Sequence, residues 1–352
     1  MAISDDVIKE AVARYERERD RYLKLAARVA DICLVDVVKQ HAIRAQVTSR
    51  TKTVDSFREK LERFSKRPDK NMENVDEVFR QIGDLAGVRV AAYRQEDESR
   101  ITDELKKRFD WPNGVEKDVE IKDKISVDEQ KFYRATHCQA ALREEDLTSD
   151  FLNLRGASCE IQICSMMAHV WNEIEHDIGY KPEGGGPGPA ETRLLGALGH
   201  LTRSGDDVIT GLLDATQARL EALSGPFNDA YDFVARMRRS LPDLDLSINA
   251  GQFFDVLEVL NLKSPERLQK YVDEIKKRPK SVAAKVNSFN RYIEDEWDEA
   301  YCLDENTSDV LLILLLERSA QQIEQGLPAG RGMGRPSRIR SLATRYVRFK
   351  KD

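Results

Sequence analysis

The chain reads as an α+β domain followed by a mostly α-helical one. Residues near 88–93, 133–142 and 159–164 alternate apolar and polar side chains, and helical patterns lie between them, as in a mixed sheet flanked by helices. A Gly/Pro stretch, KPEGGGPGPA at 181–190, then breaks all periodicity. Beyond it, apolar residues recur at helical spacing over 193–223, 226–239, 251–261, 266–277, 280–298 and 307–326. The predicted organisation is an α+β domain over 1–181, a linker over 182–190, a helical domain over 191–329 and a basic tail over 330–352. A chain of 352 residues has the length for two cores.

Bulk properties narrow the function classes. The hydrophobic share is 41% and the charged share 34%, and no run of eighteen apolar residues suggests a membrane helix. The first residues, MAISDDVIKEAVARYERER, are charged and lack a signal core. Five cysteines without CxxC spacing argue against a disulfide framework, so a cytoplasmic protein is expected. A net charge of −6 gives no global pull toward nucleic acid, so any polyanion must meet a local patch.

In chain order, residues 5–48 are expected to form one or two helices, with Val12, Tyr15, Tyr22, Leu25, Val29, Ile32 and Val35 on the buried stripe. In RAQVTSRTKTVDSFREKLER (44–63), Arg50 and Lys52 face one way from an extended segment. Thr53 or Asp55 then caps a helix that carries Ser56, Lys60 and Arg63 along one face. Such a cationic line suits a polyphosphate, although a solvated basic face has the same pattern. A short helix over 73–83 leads to Asp84 and the strand that follows it. A lone Asp there is usually a turn residue; it gains metal-binding meaning if a second carboxylate converges on it, and Glu160 is the candidate.

A helix over 99–110 ends at Trp111-Pro112-Asn113-Gly114, and the charge-rich 115–131 reads as an irregular strand pair or a mobile loop carrying Lys122, Lys124 and Lys131. In FYRATHCQAAL (132–142), Tyr133, Ala135 and His137 share one face, opposite Arg134, Thr136 and Cys138. An exposed Tyr with a same-face His suits stacking of a flat base or an ordinary cross-strand pair. The stretch Cys159–Lys181 opens with Glu160-Ile161-Gln162-Ile163, with both polar side chains on one face. In the helix after it, Met167, Val170, Trp171, Ile174 and Ile178 form an apolar stripe, and His169, Glu173, His176 and Tyr180 a polar one. His169, Glu173 and His176 share a face but lack HExxH spacing, so His176 is read as a site-wall residue. The last stretch, 330–352, carries eight Lys/Arg with Tyr346 and Phe349 interleaved, which suits a solvated tail or a nucleic-acid contact.

Four of these motifs, in this order, resemble the synthetase domain of the RelA/SpoT family, the ATP:nucleotide pyrophosphokinases that make (p)ppGpp. They are Arg50-x-Lys52-x-x-x-Ser56-x-x-x-Lys60, Asp84-Leu-Ala-Gly-Val-Arg-Val, Tyr133-Arg-Ala-Thr-His137, and Glu160-Ile-Gln162-Ile with Trp171, Glu175-His176 and Tyr180-Lys181. The likeness spans roughly residues 20–181 and implies a nucleotidyltransferase-like mixed sheet flanked by helices.

By that resemblance, Arg50, Lys52, Ser56 and Lys60 would bind the ATP phosphates, and Asp84 and Glu160 would share Mg²⁺. Tyr133 would stack the acceptor base, while His137, Arg134, Gln162 and His176 would steady the acceptor or phosphates. Glu160, Asp84 and Gln162 would be the catalytic group. The implied partners are ATP and a guanine nucleotide, with no membrane. Two positions depart from the family pattern: Cys164-Ser165 stands where Arg-Thr is usual, and Phe132 where a Gly precedes the stacking Tyr. Three functions stay open: an alarmone synthetase using GDP, GTP or an adenine nucleotide; a toxin-type relative that modifies the tRNA 3′ end; and an inactive nucleotide sensor. In the toxin-type reading the C-terminal domain restrains the toxin, senses phage or takes a regulatory protein partner. A homo-oligomer is compatible with each.

Overall fold

The computed structural model describes residues 3–351 except 68, 126–130, 181–186, 296–300 and 329–336. Most of the Gly/Pro linker and the start of the basic tail therefore lie outside the described residues. The chain divides into two compact units, one of residues 1–37 and 44–210, the other of 38–43 and 211–352.

The first unit is built on a mixed five-stranded sheet flanked by helices. Helix α1 (Asp5–Ile32) starts at Ser4, whose side chain accepts the Val7 N–H, and buries Tyr15, Tyr22, Leu25, Val29 and Ile32. A π turn over Cys33–Lys39 follows. The wider turn shifts the helical phase, so Val37 and Val38 are buried rather than the expected Val35. The helix expected to reach residue 48 gives way to strand β1 (Ala45–Thr51). Its side chains are mostly exposed, so it carries little apolar alternation; antiparallel pairing with β2 (Ala86–Ala92) makes it a strand.

Helices α2 (Val54–Ser65) and α3 (Val75–Gln81) lie between those strands. After β2 come α4 (Asp97–Arg108), the single turn α5 (Val115–Asp118) and strand β3 (Val119–Asp123), in the stretch read as an irregular strand pair or a loop. Strands β4 (Arg134–Ala141) and β5 (Ser158–Ser165) then lead into α6 (Met166–Glu175). The sheet order is β1-β2-β5-β4-β3, and only the central β2–β5 pair is parallel. This places the polar faces of β2, β5 and β4 side by side. The register sets Arg89 opposite Gln162 and Gln162 opposite His137.

Helix α6 departs from its expected apolar stripe. Trp171 is buried, but Val170, Ile174 and Ile178 are exposed. Helix α7 (Pro189–Glu221) instead buries Leu195, Gly196, Gly199 and Thr202.

The second unit is helical: α8 (Ala230–Met237), α9 (Ala250–Val259), α10 (Pro265–Lys277), α11 (Pro279–Asp295), α12 (Asp309–Gly326) and α13 (Arg338–Phe349). Ser264 caps α10, with Pro265 at its first position, as the sequence suggests. The core centres on α12, where Val310 to Leu316 are all buried. The segment read as a basic tail is corrected by α13. Its Ile339, Leu342, Ala343 and Tyr346 are buried, and Tyr346 and Phe349 pack on Phe289 at centroid distances of 5.0 and 5.5 Å. Of the two aromatics offered for nucleic acid, Tyr346 is a core residue and Phe349 packs half-buried against that core, because the apolar side chains of this helix fall on one face. The six residues 38–43 belong to this unit: Gln40 Nε2 donates to Asn249 Oδ1 at 2.7 Å, and Gly251 N donates to Gln40 O at 2.9 Å.

Candidate active site

The polar faces of β2, β4 and β5 line one wall of a cleft of about 1290 Å³, and the segment 50–70 lines another. This exceeds the roughly 300–1,000 Å³ of a site for one small ligand. The lining holds ten Lys/Arg against five Asp/Glu, a cationic field inside a chain whose net charge is −6.

The cationic side begins where β1 ends. Lys52 N donates to Leu85 O at 3.1 Å, and the buried Tyr15 hydroxyl donates to Lys52 O at 2.6 Å. These bonds tie the strand exit to the turn bearing Asp84. Thr53 caps α2 by accepting the Ser56 N–H, so the helix starts at once and projects Lys60 back toward Lys52. The two ammoniums meet on one carboxylate: Lys52 Nζ lies 2.9 Å from Asp84 Oδ2, and Lys60 Nζ 2.8 Å from Asp84 Oδ1. Burial pushes the Asp84 carboxyl up, but Lys60 and Lys52 outweigh it and hold it below the ordinary value. Arg50 and Ser56 line the same wall.

The opposite wall is a hydrogen-bonded chain. Tyr133 Oη lies 2.7 Å from His137 Nε2, His137 Nδ1 lies 3.0 Å from Glu160 Oε1, and Gln162 Nε2 donates to Glu160 Oε2 at 2.9 Å. An ionised Glu160 only accepts, so Nδ1 carries a proton; with the ring neutral, Nε2 accepts from the Tyr133 hydroxyl. Burial pushes the Glu160 carboxyl up, but the His137 and Gln162 donors leave it below its ordinary value. Burial and the charge of Glu160 push the Tyr133 hydroxyl up to about 12, so it stays a donor at neutral pH. The Tyr133 and His137 rings sit 6.3 Å apart and 34° from parallel.

Asp84 lies just ahead of β2, and Glu160 pairs with Gly87 in the parallel β2–β5 ladder, so both carboxylates stand at the same end of neighbouring strands. Among the described residues no group of three or more His, Cys, Asp and Glu could hold a metal ion. Two convergent carboxylates still fit Mg²⁺, which takes one or two and completes its shell with phosphate oxygens and water. That Asp84 already draws two cations is the same preference expressed by lysine.

Arg134 stands apart from the expected group. It faces away from Tyr133 and His137, with its Nε 3.5 Å from the buried Glu98 Oε2, and it does not line the cleft. Strand alternation places it there. His176 lines the cleft and lies 3.6 Å from Asp177, while Glu173 is taken by Arg89, so the helical His/Glu stripe forms no metal site.

Arg89 is the residue that sequence reasoning passed over. From the middle of β2 it reaches Gln162 Oε1 at 3.5 Å and pairs with Glu173, which extends the Tyr133–His137–Glu160–Gln162 chain onto α6. It places a cation beside β5, where Cys164 and Ser165 supply none. The parity of Val88, Arg89 and Val90 was a usable signal for its face. Lys122 on β3, Lys124 just after it and Lys131 two residues ahead of Tyr133, which show no sequence pattern, also line the cleft.

Residues 49–185 match the protein-family model described as "Region found in RelA / SpoT proteins". No curated protein matches the chain. Among solved structures, a GTP pyrophosphokinase family protein from Streptococcus pneumoniae is 22% identical, with 58% of this chain and 96% of that one covered at a TM-score of 0.43. The small alarmone synthetase 1 from Bacillus subtilis is 20% identical, with 58% and 99% covered at 0.41. The same synthetase bound to its product pppGpp matches at 21% identity, with 58% and 98% covered at 0.40. The segment 49–185, which holds every lining residue of the cleft just described, is similar to the region found in RelA / SpoT proteins.

Proposed function

We propose that this chain is an ATP-dependent pyrophosphotransferase that moves the β,γ-pyrophosphate of ATP to the ribose 3′-hydroxyl of a guanine nucleotide, GDP or GTP. The carrying observation is the pairing, within one cationic cleft, of Lys52 and Lys60 on Asp84 with the Tyr133–His137–Glu160–Gln162 chain. One wall suits a polyphosphate and the other a base with its ribose.

In the reaction the 3′-oxygen bonds to the β-phosphorus, the bond from that phosphorus to the bridging oxygen breaks, and AMP leaves as the hydroxyl proton is released. Such transfers ask for positioning and charge neutralisation more than covalent help. Arg50, Lys52, Lys60 and the Ser56 hydroxyl bind the phosphates. Asp84 and Glu160 would hold Mg²⁺, which when bound supplies positive charge to the phosphate oxygens. Tyr133 stacks the acceptor base, and Gln162 and His137 fix Glu160 so that it orients the 3′-hydroxyl. A carboxyl held below its ordinary value suits orientation better than proton storage, since a general base works best near the ambient pH. Arg89 adds a cation to the transferred group.

The test is purified protein with γ-³²P-ATP and Mg²⁺, offered GDP, GTP, AMP, ADP or bulk tRNA in separate reactions. Label on GDP or GTP is the expected result. Label on tRNA would replace the acceptor by a nucleic acid and make the protein a translation-blocking enzyme. Label on an adenine nucleotide would change the base that Tyr133 selects. No transfer to any acceptor would overturn the enzymatic reading in favour of a nucleotide sensor.

A further inference from the structure

The family region ends at residue 185, yet the ring that precedes the base-stacking tyrosine is held by a helix beyond it. Phe132 is buried between Trp171, at 6.0 Å between ring centroids, and His200 on α7, at 5.0 Å. Directly against it lies Gly199. A Cβ added there would fall inside the Phe132 ring atoms Cγ, Cδ2 and Cε2, so the helix offers a socket that any larger residue would fill. The same stripe of α7 makes three further contacts with the site's supports. Leu195 O accepts the Trp171 Nε1–H at 3.1 Å, Gly205 packs on Met167, and Asp206 Oδ2 accepts the Ser165 hydroxyl at 2.8 Å. Ser165 is also the N-cap of α6.

Tyr133 lies one residue ahead of β4, where the strand's regular ladder has not begun. Among the described residues its backbone bonds through Lys124 N to Tyr133 O at 2.9 Å, and it is placed by whatever fixes its neighbour. Its neighbour is Phe132. We infer that Phe132 is a positioning residue for the nucleotide acceptor, and that the Gly199 socket on α7 sets the depth at which Tyr133 meets the acceptor base. The inference rests on the pyrophosphotransferase reading and extends the acceptor subsite past the end of the family region. A large ring where the family pattern has Gly is tolerated because a glycine stands opposite it.

A double-mutant cycle tests this on the full-length protein. Gly199→Ala, Phe132→Ala and the double variant are compared with the parent by thermal midpoint and by KM for acceptor and for ATP. At an unconstrained helical site Gly→Ala raises stability. Here Gly199→Ala is expected to lower the midpoint and to raise the acceptor KM about tenfold, the loss of much of a base–aromatic stack, with the ATP KM within about twofold. In the Phe132→Ala background the same substitution is expected to raise the midpoint and leave the acceptor KM unchanged. A Gly199→Ala protein whose two KM values move together, or neither moves, overturns the positioning role. A wild-type protein that transfers no label, with the thermal cycle still coupled, removes the underlying reaction and the inference with it, while the socket stands as a packing contact.

Discussion

Replacing Glu160 by Gln isolates charge from shape. The carboxylate accepts from His137 Nδ1 at 3.0 Å and from Gln162 Nε2 at 2.9 Å. The amide of Gln keeps one acceptor and presents N–H to the other partner. If its oxygen stays on Gln162, its nitrogen faces His137, and the imidazole can answer by moving its proton to Nε2 and donating to the Tyr133 oxygen. Only the Tyr133 hydroxyl proton is then left to turn toward water in the cleft, so the folding cost is about 1 kcal/mol, the net worth of one altered hydrogen bond. Because the folded-state carboxyl lies below its ordinary value of 4.5, its contribution to stability is complete above that pH and is lost as pH falls through the depressed value. Near neutrality the full effect of the substitution is therefore read. On the proposed reaction, turnover loses the charge that would orient the 3′-hydroxyl and hold Mg²⁺, and is expected to fall by roughly 10²–10⁴. Label transfer from γ-³²P-ATP and a thermal melt at pH 7.5 measure the two quantities. A Glu160→Gln protein that transfers label within about threefold of the parent rate would refute the assignment, and one that fails to fold would show that the tautomer exchange is blocked.

Tyr133→Ala is expected to raise the acceptor KM by the loss of roughly 1–3 kcal/mol of stacking, leaving the ATP KM nearly unchanged; equal losses for both substrates would make Tyr133 a structural residue. Glu98→Gln addresses a buried acid away from the cleft. Burial outweighs Arg134, and with the charge of Asp206 it pushes the Glu98 carboxyl up to about 7 from 4.5. A raised acid contributes stability that is present below the unfolded value and lost as pH rises through the folded one, so the variant should be more stable than the parent at pH 8, by at most about 3 kcal/mol, and similar near pH 4. Melts across pH check this, and a difference independent of pH would refute it. Gly251→Ala in the helical unit places a methyl against the Lys39 carbonyl oxygen, a backbone atom that cannot swing aside, and is expected to cost about 1–3 kcal/mol by denaturant melt where a free helical Gly would gain.

Much of the first unit was legible because its strands are half-buried. Ile161 and Ile163 pointing inward between Glu160 and Gln162 give the parity signal directly, as do Val88 and Val90 around Arg89. β1 was less legible: most of its side chains face solvent, so helical and extended readings compete until β2 supplies a partner. The π turn after Ile32 moved the buried stripe by an amount no fixed period anticipates. On α6 the apolar stripe was real in sequence but largely exposed in the fold, and that helix is held against α7 by the buried Trp171, by Met167 on Gly205 and by Ser165 on Asp206. Charge type and parity singled out Lys52, Lys60, Asp84, Tyr133, His137, Glu160 and Gln162, all of which line the cleft, while leaving their roles to the family resemblance. Arg134 went to a buried acid on a distant helix, a pairing without a sequence pattern. The basic C-terminal stretch was misread because its cations outnumber its apolar residues, although the latter fall on one helical face.

The six residues 38–43 are counted with the helical unit although the chain on both sides of them belongs to the other. On a ribosome they emerge long before residue 211. The helical unit must therefore wait, with Val38 and Ile43 uncovered, for partners synthesised much later, or complete itself around a strip already anchored at both ends. Proteolysis after residue 210 would cut one connection and leave two crossings of the boundary to sever. Gene-level exchange of the C-terminal half alone would likewise deliver a helical unit without its first six residues.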